Sequence, residues 1–222
     1  MAIDEKIKKN VTDQLYWDHR VDASDVQIEV DDGVVTLSGN VPSFTAKDAA
    51  YDDTWFVDGV RLVLNDLDVE YVTERKMPTD EDIQRYVIEK LRWNPDLAAY
   101  KIEVSVSRGW VTLEGTVDAY WKKVRARMEA SEVIGVLGVT NKLAVVPTES
   151  IEDERIAEDV IAAMDRHVLV NPQEVNVRVN DGVVTLTGTV PSWRVKTAAH
   201  DAALYTYGVI DIVDELDVQL QR

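Results

Sequence analysis

An internal repetition constrains this chain more than any other feature of its sequence. The segment DDGVVTLSGNVPS at 31–43 recurs as SRGWVTLEGTVDA at 107–119 and as NDGVVTLTGTVPS at 180–192. Gly33, Gly109 and Gly182 are thereby equivalent, at offsets of 76 and 73 residues. The same offsets align Ile7 with Ile83 and Ile156, Val11 with Val87 and Val160, and Leu15 with Leu91 and Met164. Downstream they align Gly59 with Gly135 and Gly208, and Leu67 with Leu143 and Leu216. A period of this length marks a supersecondary unit copied in tandem, and three copies account for all 222 residues.

Periodicity predicts the content of each unit. Ile7, Val11 and Leu15 fall four apart and form a helical stripe. Thr79-x-x-Asp82 and Ser150-x-x-Asp153 supply cap signals where the second and third units begin. Val26, Ile28 and Val30 alternate with polar residues, Asp31-Asp32-Gly33 makes a tight turn, and Val35, Leu37 and Val41 resume the alternation, which predicts a hairpin. Gln27, Glu29, Thr36 and Ser38 fall on its other face, so the sheet is covered on one side only. A second helix follows Pro42-Ser43, with Ala50, Thr54 and Val57 toward the sheet and Ala126, Ala130 and Val133 or Ala199, Ala203 and Thr206 at the equivalent places. Gly59-Val60 then opens a third strand, predicted to pair in parallel with the second. The expected fold class is α+β: three tandem αββαβ domains, each with two helices on one face of a small three-stranded sheet.

These motifs carry a resemblance. The run G-V-V-T-L-x-G-x-V-P-S, an Ala-bearing helix, and then G-V-x-x-V-x-N/D-x-L-x-V is similar to the BON domain, the bacterial osmotic-stress and nodulation domain, three times over. The expected domains are 1–72, 78–147 and 150–222, with Pro78 and Pro147 interrupting the strand-to-helix passages. The resemblance implies an αββαβ fold, no enzymatic activity, and a role in osmotic or envelope stress exercised through contact with phospholipid.

The remaining residues argue in the same direction. The chain has no cysteine, which excludes thiolate catalysis, disulfides and Cys-based metal sites. His19, His167 and His200 occupy non-equivalent positions, and the acidic pairs Asp31-Asp32, Asp52-Asp53 and Asp66-x-Asp68 lack calcium-loop spacing. No catalytic residue, metal ligand or cofactor is therefore expected. A formal charge of -17 disfavours nucleic acid. No run is long and apolar enough for a transmembrane segment, and MAIDEKIKKN has no signal-peptide core, so the expected location is cytoplasmic, or periplasmic if the chain is a mature fragment.

If the shared residues build the fold, function belongs where the repeats differ, and charge differs most. Residues 1–74 hold 6 basic and 17 acidic residues, 75–148 hold 12 and 10, and 149–222 hold 6 and 14. The excess in the middle repeat gathers in its second helix, where Trp121, Lys122, Lys123, Arg125, Arg127 and Met128 form the candidate lipid- or partner-binding site. On a helical wheel Trp121, Arg125 and Met128 point away from the sheet, as do their equivalents Thr45, Ala49 and Asp52 or Arg194, Ala198 and Asp201. An indole among cations suits an anionic phospholipid surface. The same patch equally suits a seam against the acidic end repeats. Lys47, Lys123 and Lys196 recur three residues after an aromatic, each expected to run along the core and reach a carboxylate. Trp17 and Trp93 are equivalent at the end of the first helix, and Trp110 on the polar side of its hairpin suggests a partner or a contact between repeats. The leading reading is a non-enzymatic stress protein that contacts anionic phospholipid or the membrane periphery through its middle repeat. A second is a soluble protein-binding scaffold or chaperone-like module presenting sheet edges and acidic faces, and a third is cation sensing.

Overall fold

Each hairpin turn takes two residues of positive φ in a row, and this sets the strand register from which the rest is built. Asp32 and Gly33 (φ 45° and 76°), Arg108 and Gly109 (51° and 75°), and Asp181 and Gly182 (48° and 75°) all have the left-handed pair that a two-residue hairpin with right-handed twist requires. The structure is a computed structural model and describes residues 2–71 and 77–219. The junction expected near 72–79 lies partly outside the described residues.

The first repeat runs α1 (Ala2–Trp17), β1 (Val26–Asp31), β2 (Val34–Val41), α2 (Phe44–Trp55) and β3 (Leu62–Val69). The second runs α3 (Asp80–Trp93), β4 (Ile102–Ser107), β5 (Trp110–Val117), α4 (Tyr120–Ser131) and β6 (Gly138–Val145). The third runs α5 (Asp153–Asp165), β7 (Val175–Asn180), β8 (Val183–Val190), α6 (Trp193–Leu204) and β9 (Asp211–Val218). The three sheets have the orders β1-β2-β3, β4-β5-β6 and β7-β8-β9. In the first and third, the opening pair is antiparallel and the closing pair parallel, as the crossover through the second helix demands. The fold is thus three tandem αββαβ units. By contact the chain groups into two compact units, Met1–Lys90 with Val104–Thr112 and Met128–Thr140, and Leu91–Glu103 with Leu113–Arg127 and Asn141–Arg222, so the middle repeat contributes to both.

Burial follows the helical stripes and the strand alternation. Ile7, Val11, Leu15, Val35, Leu37 and Leu67 are core residues of the first repeat, and Ile156, Val160, Met164, Val184, Leu186 and Leu216 take the same places in the third. Burying each such side chain removes apolar area worth roughly 1.5–3 kcal/mol from water. Ala49 and Ala198, expected from the helical wheel to face outward, are instead buried. In the first and third repeats the second helix packs on the first helix as well as on the sheet, so two of its faces are covered and only small side chains fit the second.

Thr79 and Asp82 form the expected reciprocal cap, with the Asp82 amide donating to Thr79 Oγ1 and the Thr79 amide to Asp82 Oδ2, both at 3.2 Å. The proposed cap at Ser150 and Asp153 does not form. Glu152 holds the cap position of α5 without a side-chain bond, because the equivalent of Thr79 is residue 152, not 150. Asp153 is used elsewhere.

Candidate functional site

Three equivalent carboxylates at the starts of the first helices hold the hairpin turns. Asp153 accepts from the amides of Asp181 (2.8 Å) and Gly182 (2.9 Å), and Asp80 accepts from those of Arg108 (2.7 Å) and Gly109 (2.8 Å). Asp4 accepts from Gly33 at 3.2 Å. The sequence signal for this clasp was present, since Asp4, Asp80 and Asp153 recur at the repeat offsets, but an acid in a first helical turn already has an explanation in the helix dipole. The clasp fixes helix to hairpin and is structural.

The recurrent lysines are also structural. Lys47 Nζ donates to the Leu67 carbonyl at 2.5 Å, and Lys196 Nζ to the Leu216 carbonyl at 2.6 Å. The expectation of a carboxylate is met in the third repeat, where Asp214 lies 3.4 Å from Lys196. In the first two repeats that position is Asn65 or Asn141, whose amide donates instead to the carbonyl of Lys47 (3.1 Å) or Lys123 (2.6 Å). A neutral bracket and an ion pair thus solve the same problem of tying the second helix to the third strand.

The six candidate residues of α4 separate. Lys122 Nζ bonds Asp118 (2.8 Å) and the Tyr100 hydroxyl (2.8 Å), with the Tyr100 and Trp121 rings 4.9 and 5.5 Å away. Burial alone acts to lower the pKa of this ammonium, but Asp118 and Tyr100 outweigh it and the value stands raised. Lys122 is therefore a fixed internal charge. Lys123 lies over the Tyr120 ring at 5.9 Å, Trp121 and Arg127 are half-buried, and Arg125 and Met128 are exposed. Tyr120 itself packs against the core of the third repeat, where burial, with Asp211 second, raises its hydroxyl pKa. The start of α4 is accordingly a contact between repeats within the second unit.

Trp110 is also partly satisfied internally. Its Nε1 donates to Thr140 Oγ1 at 3.0 Å and its ring covers Gly138, where an added Cβ would lie 2.7 Å from the indole. The strongly exposed indoles are at the ends of the first helices, Trp17 at 75% and Trp93 at 86%. The third repeat has Arg166 at this position, followed by Val168 at 95% exposure.

A buried acid escaped the sequence reading. Asp53, 4% exposed, faces Asp18 and Arg20 at the end of α1, with Arg20 bidentate on Asp18 (Nη2 to Oδ2 at 2.5 Å, Nε to Oδ1 at 3.1 Å) and only 3.5 Å from Asp53. Burial first, then the Asp18 carboxylate, pushes Asp53 up to about 6, while the Arg20 hydrogen bond holds Asp18 well below the usual range. The pair Asp52-Asp53 reads as surface charge in sequence because period alone does not reveal the second covered face of α2.

His19 and His167 are exposed, and His200 is half-buried beside Asp201 at 3.7 Å. Among the described residues no group of three histidine, aspartate or glutamate side chains is placed to hold a metal ion, and no helix is long and apolar enough to cross a membrane.

The BON domain matches residues 3–71, 79–147 and 152–219. Osmotically-inducible protein Y of Escherichia coli (strain K12) is 30% identical over 145 residues, covering 64% of this chain and 70% of that protein. CdsD, a structural protein of the type III secretion system of Chlamydia trachomatis, aligns over 100% of this chain and 94% of its own at 12% identity and a TM-score of 0.27. A structure of the CdsD C-terminal domain aligns over 99% and 98%, at 12% identity and a TM-score of 0.26. With matches to its motifs in all three repeats, the chain belongs to the BON domain family.

Proposed function

We propose that this protein is a stress-associated binding protein that contacts anionic phospholipid at the membrane periphery through its middle repeat. BON domains are non-catalytic modules, so binding is the activity to test. The similarity to an osmotically inducible protein supports a role in osmotic or envelope stress. One observation carries the lipid reading: Trp93, 86% exposed at the end of α3, follows Arg92 in the one repeat where cations outnumber acids. An indole sits at headgroup depth, and each cation near an anionic leaflet adds about 1 kcal/mol. Arg125 and Met128 on α4 add exposed basic and apolar surface to the same repeat.

Flotation with phosphatidylglycerol vesicles and with phosphatidylcholine vesicles tests this. Binding is expected to the anionic vesicles alone and to fall steeply with salt, since charge attraction decays over about 8 Å at physiological ionic strength. Trp93→Ser should abolish it without loss of stability, because the side chain is outside the core. Arg125→Glu with Arg127→Glu should also abolish it. Equal binding to both vesicle types, or full binding by Trp93→Ser, would overturn the proposal.

A further inference from the structure

The first sheet has the order β1-β2-β3, so β1 is hydrogen-bonded along one side only. The register fixes which backbone groups the other side offers. Asp31 and Val34 flank the two-residue turn, and the Asn40 amide donates to the Asp25 carbonyl at 3.3 Å. Antiparallel pairs alternate, so residues 25, 27, 29 and 31 bond toward β2. Ile28 and Val30 therefore turn both amide and carbonyl outward. Val26 turns its carbonyl outward, its amide being taken by the Ala23 carbonyl at 3.2 Å.

This edge opens into a groove of about 620 Å³ between α1 and β1, lined by Lys8, Thr12, Leu15 and Tyr16 on the helix and by Val26 to Glu29 on the strand. The middle repeat has a device that closes such an edge. Gln84, the equivalent of Lys8, donates from its side-chain amide to the carbonyl of Val104, the equivalent of Ile28, at 2.6 Å. Lys8 is exposed and makes no such bond. An uncapped edge is a template for another strand.

Charge narrows what would pair there. Gln27, Glu29 and Asp31, the side chains of β1 that face away from the core, are all exposed. They belong to a repeat with 17 acidic residues against 6 basic. At the same positions the third repeat carries Asn176, Arg178 and Asn180, so the acidic edge is peculiar to the first. A strand laid beside β1 would set every second residue opposite Glu29 and Asp31, where Lys or Arg would complete cross-strand pairs. Its alternate residues would drop into the groove beneath α1, beside Leu15 and Val26.

We infer that β1 is a strand-addition site for an extended polypeptide segment in which basic and apolar residues alternate, a contact independent of the lipid surface. Main-chain bonds would supply affinity and the alternating side chains selectivity. The probe is a fluorescent heptapeptide of alternating Lys and Val, titrated into the full chain with anisotropy and amide hydrogen exchange as readouts. Binding is expected to slow exchange at Ile28 and Val30. A Lys/Val peptide with a central proline should bind about tenfold more weakly, the share of one lost backbone hydrogen bond, and a Glu/Val peptide should lose at least as much because it sets carboxylates opposite Glu29 and Asp31. Lys8→Gln, which transplants the closing side chain of the middle repeat, and Glu29→Lys should each weaken binding by a similar factor with the circular dichroism spectrum unchanged. Saturation without protection of Ile28 and Val30 would overturn the inference. So would equal affinity for the proline peptide together with unchanged binding by Lys8→Gln, the pattern of loose charge attraction. Dimerisation of the peptide-free chain that Lys8→Gln abolishes would assign the edge to a second copy and overturn it as well.

Discussion

The first and middle repeats share their core stripe, turn geometry and helix-to-hairpin clasp, yet handle one helical joint in opposite ways. In the first, Asp53 of α2 is buried against Asp18, with Arg20 at 3.5 Å. In the middle, the equivalent acid is Glu129, paired with Lys90 of α3 at 3.6 Å, and Lys90 also pairs with Glu132. Gln14 stands in the first repeat where Lys90 stands in the middle one. The scaffold thus tolerates an acid at this depth, but its charge is supported only where the first helix supplies a cation directly. The repeats are one fold with three electrostatic states, and differences of function belong to those states rather than to the shared frame.

The largest expected effect tests the shared part. Asp80→Ala and Asp153→Ala each remove two charge-assisted bonds to turn amides and should cost about 2–3 kcal/mol in urea denaturation. Asp4→Ala, whose bond to the Gly33 amide is longer at 3.2 Å, should cost less. Equal losses at all three sites would show that the strength of the clasp does not depend on the length of its bond to the turn glycine.

Asp53 tests the divergent part. Its folded pKa, about 6, is raised above the ordinary value of 3.8. Its contribution to stability is therefore full below about pH 4 and lost as pH rises through 6. Asp18 has the opposite sign: its lowered pKa favours the fold above 3.8 and loses that contribution at lower pH. Asp53→Asn should raise stability at pH 7 by about 1–2 kcal/mol and flatten the difference between pH 5 and pH 7. A smaller change is expected from Gln14→Lys, which imports the cation of the middle repeat and should bring the Asp53 midpoint, followed by carboxyl carbon NMR, down from about 6 by about one unit. An unmoved midpoint would mean that Lys90 is not what separates the two joints. Smallest of all, Lys142→Ala should change stability by less than about 0.5 kcal/mol, because the pair it makes with Glu114 at 3.1 Å is exposed on both sides.

Particular residues show what was legible before the fold. Ile7, Val11 and Leu15 announced a buried helical face, and the Gly33 series announced tight turns, because both are requirements of local backbone geometry. The clasp of Asp80 was only half legible: its recurrence shows in the sequence, but its partners lie 28 and 29 residues away. The α4 patch was legible as a charge excess, whereas the commitment of Lys122 to Asp118 and Tyr100 was not, since Tyr100 comes from the loop before β4. Trp110 looked available for a partner, yet much of its ring is placed by Gly138, a glycine standing where the other repeats have Leu62 and Asp211.

The sequence by itself determined the threefold repeat, the αββαβ order, the turn positions and the charge contrast among the repeats. Each of these is written in residue type at fixed spacing, and spacing along the chain is what sets helical and strand periodicity. Only the tertiary structure decided that Asp53 is buried, that Ala49 faces inward, that Lys122 is held, and that the edge of β1 is open where that of β4 is capped. These depend on which second element covers a given face or edge. That is a matter of approach between segments tens of residues apart, and periodicity within one segment does not encode it.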